Sequence, residues 1–368
     1  MIGFKVEKEG DGRARTGVLS IGNMQVETPV FMPVGTYAAV KAVSPEELRE
    51  IGARIILSNA YHLFLRPGEK IIKKLGGIHR FTGWDGAYLT DSGGFQIFSL
   101  SPLRSISRDG VDFQSHIDGA RKFLSPEDVI RIEADIGADI IMPLDVCSAS
   151  DASRHEAEEA AHITCEWAVR SMGAWERTGG RGALFGIVQG NLFKDLRSLC
   201  AEKIVNLGFP GYAVGGLSVG ENRETMYEIL GFTTSLLPKE KPRYLMGVGA
   251  PEDILEAVLR GIDMFDSVLP TRNARNATVF VPGGRLLLRN AEHREDERPI
   301  QEDCGCYTCS HFTRAYLRHL FKTREILAYR LATLHNLTYL IRFTGGIREA
   351  IRKGTLLDFR NEFRRGMI

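Results

Sequence analysis

A chain of 368 residues, 43% hydrophobic and 25% charged, holds enough apolar material for one large domain with an appendage or for two ordinary domains, which excludes a disordered class. No apolar run approaches the length of a bilayer span, and the N-terminal stretch from Met1 to Glu9 lacks the apolar core of a secretory signal, so a cytoplasmic protein without a membrane partner is expected. The net charge of +1 selects no partner, but from His311 onward twelve Lys or Arg stand against four acids. That basic field either attracts a polyanion or is a solvated helix face.

Residues 4–34 alternate apolar and polar positions around Gly-rich turns, which predicts short antiparallel strands packed over one end of a larger body. Ser44-Pro-Glu-Glu47 and Ser125-Pro-Glu-Asp128 each pair an N-cap hydroxyl with Pro at the first helical position and acids in the first turn; Pro251 to Asp253 repeats the Pro and the acids. The helices these signals open run into Gly and then into short apolar strands at 55–57, 140–142 and 264–265. Further strands are predicted at 87–89, 184–188, 212–214 and 244–246 and near 30–32, with helical spans at 152–176, 192–207 and 222–236. Such alternation means parallel strands with crossover helices. The strand count favours an irregular (β/α)8 TIM barrel over an open doubly wound sheet, and no G-x-G-x-x-G follows the first strand. The expected division is a catalytic barrel with its N-terminal β-strands over 1–300, a metal-binding subdomain over 301–345 and a C-terminal helix over 346–368 returning to the barrel.

In a barrel the residues just after each strand gather at one mouth. Here they include Asp91, Asp145, Gln189, Gly215, Gly216, Gly247 and Asp266, with Arg272 and Arg275 expected on a loop after Pro270, where they could meet phosphates or base edges. Taken alone, Asp266 equally suits a cap on the following turn. Three carboxylates and an amide together suit the edge of a purine, whose N1–H and exocyclic amine donate to a carboxylate while its oxo group accepts. Two carboxylates astride a sugar C1′ also suit cleavage of a glycosidic bond, one as nucleophile and the other moving protons. Gly-Gly pairs at 93–94 and 215–216 let backbone approach a flat ring that Phe95 and Met246 would sandwich, although such pairs are also ordinary turns.

Cys304, Cys306 and Cys309 crowd into six residues, and His335 follows. Three thiolates and an imidazole make a closed tetrahedral zinc site, so one structural Zn2+ is expected, with His319 and, less comfortably, His311 as rival fourth ligands. Cys147, Cys165 and Cys200 stand singly in sequence, which fits a reducing compartment.

Six motifs in order, namely Asp91-Ser-Gly-Gly-Phe-Gln96, Gly186 to Gly190, Val214 to Leu217, Tyr244 to Gly249, Phe265 to Arg272 and the Cys304/Cys306/Cys309/His335 set, closely resemble bacterial tRNA-guanine transglycosylase over essentially the whole chain. The resemblance implies exchange of guanine at the wobble position of tRNAs with GUN anticodons (Asp, Asn, His, Tyr) for the 7-deazaguanine base 7-aminomethyl-7-deazaguanine, towards queuosine, in a homodimer whose zinc module lies near the subunit contact. By the same resemblance Asp266 is the nucleophile and Asp91 the general acid/base. Asp91 to Phe95 (through Ser92, Gly93 and Gly94), Asp145, Gln189, Gly216, Leu217 and Met246 hold the base. Gly247, Val248, Gly249, Ala250, Pro251, Glu252 and Asp253, with Thr271, Arg272, Asn273, Ala274 and Arg275, contact tRNA. The chain departs from the pattern at Ala250, where many relatives carry Lys, and at Ala277, where they carry Gly. Cys147 and Val219 match the pocket for the small aminomethyl base; direct use of queuine is the alternative. A metal-dependent barrel hydrolase would need several strand-end ligands where only His62 stands, and a non-catalytic tRNA-binding subunit should lack an acid that this chain keeps.

Overall fold

The structure is a computed structural model that describes residues 2–94 and 104–366. Its first three strands, β1 (Ile2–Glu9), β2 (Arg15–Ile21) and β3 (Met24–Thr28), form an antiparallel sheet. Then come β4 (Val30–Pro33), β5 (Ile55–Asn59) and β6 (Ala87–Asp91), followed by an antiparallel excursion of β7 (Arg104–Ile106), β8 (Val111–Gln114) and β9 (Arg121–Leu124). The chain continues through β10 (Ile140–Ile141), β11 (Ala183–Leu184), β12 (Gly186–Val188), β13 (Tyr212–Val214), β14 (Arg243–Leu245) and β15 (Met264–Ser267).

Two parallel sheets, ordered β11-β10-β6-β5 and β12-β13-β14-β15-β4, join into a closed ring. Only Phe185 separates β11 from β12, and at the other seam Val34 bridges Leu57. Counting β11 and β12 as one strand gives eight parallel strands, the expected barrel. The predicted caps form: Ser44 and Ser125 each close a capping box, opening the helices Pro45–Glu50 and Pro126–Ile136.

Strand side chains alternate between faces. Ile55, Leu57, Ala87, Leu89, Ile187, Ala213, Tyr244 and Met264 fill the interior in one cluster, which Leu19, Ile21 and Val26 of the N-terminal sheet join. Their neighbours Ile56, Tyr88, Val188, Val214, Leu245 and Phe265 pack outward in the helical layer. Continuing the inward parity by one step past the apolar filling brings Asn59, Asp91, Gln189, Gly215, Met246 and Asp266 to one end of the barrel.

A third cluster, from Ala274 and Val279 through Leu317 and Phe321 to Leu331, forms a separate core that draws in the hairpin of β16 (Thr278–Val281) and β17 (Gly284–Leu287). The helix Ile326–Lys353 lines this core and then packs Leu340, Ile347 and Ile351 against the barrel's outer layer. The helix Leu356–Arg364 returns to the barrel, where Arg360 and Arg364 both bond Glu256 of the helix Pro251–Leu259. Among the described residues no helix is long and apolar enough to cross a membrane.

Two local expectations are corrected. Pro270 does not end regular structure: it occupies the first turn of the helix Leu269–Arg275, where its missing N–H has no intrahelical partner to lose, so Arg272 and Arg275 project from a helix. The β7–β9 excursion was not foreseen; its strands are short, pair among the described residues only with one another and carry charges on their open face.

Candidate active site and metal centre

A cavity of about 430 Å³ opens at the carboxyl end of the barrel, within the size range of small-molecule sites. Asp91, Asp145, Gln189, Gly216, Met246 and Asp266 all line it. The expected Phe95 stack lies outside the described residues.

Asp266 lies near the carboxyl end of β15, lines the cavity and is nearly buried, at 9% exposure. Its Oδ1 accepts two hydrogen bonds, from Tyr244 Oη at 2.6 Å and from Gly247 N at 2.7 Å. Its Oδ2 has no protein donor among the described residues. Burial pushes the carboxyl above its usual range, and the two donors draw it back. An acid held by one oxygen and bare at the other, with no cation bonded to it among the described residues, has the arrangement that a nucleophile needs. Tyr244, which orients it, was not singled out in the sequence; its inward parity one turn of the pleat before Met246 is the signal that marks it.

Asp91 lies across the cavity on β6, in register with Asn59, whose amide Nδ2 donates to Asp91 Oδ2. Behind it the fully buried Glu133 accepts from Thr90 Oγ1 at 2.9 Å and from Met142 N at 3.2 Å, tying β6 to the chain end that leads to Asp145. Burial raises the Glu133 carboxyl well above its ordinary range. Asp145 Oδ2 accepts from Gln189 Nε2 at 2.7 Å, and burial moves its carboxyl up to about 6. Gly94 packs so closely on Asp145 that an added Cβ would lie 2.9 Å from its Oδ1. This pair presents a carboxylate and an amide side by side, the complement of a guanine edge.

At the rim Ser92, Gly93, Leu217, Val219 and Cys147 line the cavity, as do Gly247, Val248, Gly249, Ala250 and Asp253. Pro251 and Glu252 open the adjoining helix, and Glu252 and Asp253 are engaged by Arg223, with Tyr227 Oη donating to Asp253 at 2.6 Å. On the helix Leu269–Arg275, Arg272 reaches the cavity edge; Arg272 and Arg275 are exposed, whereas Thr271 and Ala274 are buried and Asn273 is half-buried. Ala277 adopts φ +61° in a fully buried position, a backbone region that suits Gly and strains Ala.

Away from the cavity, the sulfurs of Cys304, Cys306 and Cys309 lie 3.7, 3.7 and 3.3 Å from His335 Nδ1. All four ligand atoms fall within 4.8 Å of one another. A tetrahedral ion about 2.3 Å from each sulfur separates its ligands by roughly 3.5 to 3.8 Å, so the set fits zinc. His335 Nε2 donates to Phe280 O at 2.7 Å, which fixes the tautomer with Nδ1 bare towards the thiols. The rivals are placed elsewhere: His311 Nδ1 meets Tyr307 O, and His319 stacks on Tyr316. Cys165 and Cys200, separate in sequence, meet at 3.5 Å in the core.

The family model described as queuine tRNA-ribosyltransferase matches residues 11–367. A queuine tRNA-ribosyltransferase of Caldanaerobacter subterraneus is 58% identical over 358 residues, covering 97% of this chain and 95% of the relative. One from a Thermoanaerobacter species is 56% identical with the same coverage, and one from Staphylococcus epidermidis is 53% identical over 95% of this chain and 92% of its own length. With a barrel mouth of paired acids, a Cys3His cluster and similarity spanning nearly every residue, the chain belongs to the queuine tRNA-ribosyltransferase family of pentosyltransferases.

Proposed function

We propose that this protein exchanges guanine at the anticodon wobble position of GUN tRNAs for 7-aminomethyl-7-deazaguanine by double displacement, in the cytoplasm where tRNA is modified. One observation carries the reading: the bare Oδ2 of Asp266 and the carboxylate of Asp91 share a cavity whose third acid, Asp145, is paired with Gln189 for a purine edge. The wobble nucleotide is flipped into the cavity. Asp266 Oδ2 attacks C1′ as the C1′–N9 bond breaks, and guanine leaves with a proton supplied by Asp91. The incoming base then gives its N9 proton to Asp91 and attacks C1′, releasing Asp266, so two inversions give net retention.

Asp145, Gln189 and the Gly216 amide read the base, Met246 supports its face and the Leu217 carbonyl accepts from the aminomethyl group. Cys147 and Val219 close the pocket around a small substituent, which favours this base over queuine. The rim from Gly247 to Asp253 and the helix from Thr271 to Arg275 face the RNA, with the exposed Arg272 and Arg275 offering cations to phosphates. Cys304, Cys306, Cys309 and His335 would hold one zinc ion per subunit in a structural role. Beside them an aromatic ladder of Tyr307, Phe312, Tyr316 and His319, with Tyr307 and Tyr316 half exposed, supports a homodimer that joins near the zinc module.

The test is uptake of labelled guanine into tRNA by the purified protein, together with a denaturation-resistant protein–RNA adduct. Wild type should give both and Asp266→Asn neither. Uptake by Asp266→Asn at the wild-type rate would overturn the covalent route. Faster incorporation of queuine than of the aminomethyl base would overturn the substrate assignment.

A further inference from the structure

We infer that Arg197 is a positioning residue that aims the main-chain donors of the base pocket and so sets recognition of a 6-oxo purine; this rests on the base-exchange reading above. Arg197 lies on the helix Lys194–Asn206 and is wholly shielded from solvent. Every hydrogen bond it makes goes to a carbonyl oxygen: Nε to Asn191 O at 2.8 Å, Nη1 to Val188 O at 3.0 Å and to Gly215 O at 2.8 Å, and Nη2 to Gly216 O at 3.3 Å. No carboxylate pairs with it among the described residues. Burying a guanidinium without a counter-ion is unfavourable, and an aliphatic side chain would fill the same space at lower cost. What the position uses, then, is the fixed fork of donors.

The fork acts through peptide planarity. In a trans peptide the C=O and the following N–H point in opposite directions. With Gly215 O turned onto Arg197, the Gly216 N–H must face the other way, into the cavity, where the Cys147 thiol stands before it. Gly216 O turns onto the same guanidinium, which sends the Leu217 N–H away from Arg197 as well. Extended backbone at Gly216 would have swung its carbonyl to the opposite side; its φ of +64° prevents that, and an added Cβ would lie 2.3 Å from Gln189 Oε1. At the other end of the fork, Val188 O and Asn191 O bracket Gln189. A single side chain outside the barrel therefore sets both the backbone amide and the side-chain amide that meet the base.

The experiment compares wild type with Arg197→Lys, which keeps the charge but cannot reach four carbonyls, and with Arg197→Gln. In the full-length, zinc-loaded protein, KM and kcat for labelled guanine are measured with tRNA saturating, along with the inhibition constant of 2-aminopurine, which lacks the 6-oxo group. The expected result is a guanine KM about tenfold higher, the scale of one misdirected hydrogen bond, with little change in kcat and with 2-aminopurine inhibition unaltered. An equal loss for both bases, or an unchanged guanine KM in well-folded variants, would overturn the inference. A second measurement needs no variant: guanine should slow hydrogen exchange at the Gly216 amide of wild type and 2-aminopurine should not, and absence of that difference also overturns it. A wild type that takes up no guanine at all would instead defeat the base-exchange reading.

Discussion

Two buried aspartates sit three residues apart along β15, Asp263 just before the strand and Asp266 near its carboxyl end. Asp263, at the floor of the barrel, is gripped by the Arg15 guanidinium, Nε to Oδ1 at 2.9 Å and Nη2 to Oδ2 at 2.6 Å, and accepts from Arg243 N at 2.7 Å. Among the described residues Asp266, at the mouth, bonds no cation and keeps one oxygen bare. Burial pushes both carboxyls up, but only at Asp263 does a charge oppose it. One acid is therefore held through both oxygens by a guanidinium and a main-chain donor, and the other through a single oxygen by neutral donors.

The sharpest way to break that contrast is to neutralise each acid in turn. Asp266→Asn should cut base exchange by at least about a thousandfold, as expected when a nucleophile is removed. It should melt no lower than wild type at neutral pH. Because the Asp266 carboxyl is raised in the folded chain, its favourable contribution is complete below the ordinary carboxylate range and fades as pH rises through the raised value, so neutral Asn relieves a burden. A clear drop in melting temperature at pH 7 would deny the distinction. Asp263→Asn should do the reverse: it strands the buried Arg15 and costs about 3 to 5 kcal/mol in denaturant titration, while the folded fraction keeps its kcat.

Smaller effects refine the picture. Tyr244→Phe removes one of the two donors on Asp266 Oδ1. It should lower kcat about tenfold and move the acid limb of the pH–rate profile upward, since a donor that favours the charged form has gone. An acid limb that stays in place would mean that Tyr244 only packs. Asp145, raised to about 6, supplies a gentler test: KM for the base should climb as pH falls below about 6 while the adduct still forms at saturating base. A KM flat from pH 5 to 8 would assign base reading elsewhere.

Much of this architecture was readable along the chain because its causes are local. Capping boxes at Ser44 and Ser125 need only three residues each, and period-2 alternation carried Asp91, Gln189 and Asp266 inward once the apolar strands were found. What escaped depends on which elements meet. Arg197 and Glu133 sit on the buried stripes of their helices, Arg197 with Cys200, Ala201 and Ile204 and Glu133 with Val129, Ile130 and Ile136. A charge on an apolar stripe was visible in the sequence as a misfit; its carbonyl, hydroxyl or amide partners were not. The choice of His335 over His319 was likewise a matter of folding, since both follow the cysteines on basic helices and only one faces them.

His335 and Asn336 are consecutive residues with opposite duties. The first turns to the cysteines, while Asn336 Nδ2 donates to Pro270 O at 2.9 Å and to Thr278 O at 3.1 Å and its Oδ1 accepts from Phe280 N at 2.9 Å. The helix that carries them is thus a lever, with the thiol cluster at one arm and the segment bearing Arg272 and Arg275 at the other. A chelator should be felt there first: amides from 270 to 280 should exchange faster, and tRNA affinity should decline, at temperatures where the eight-stranded ring is still intact.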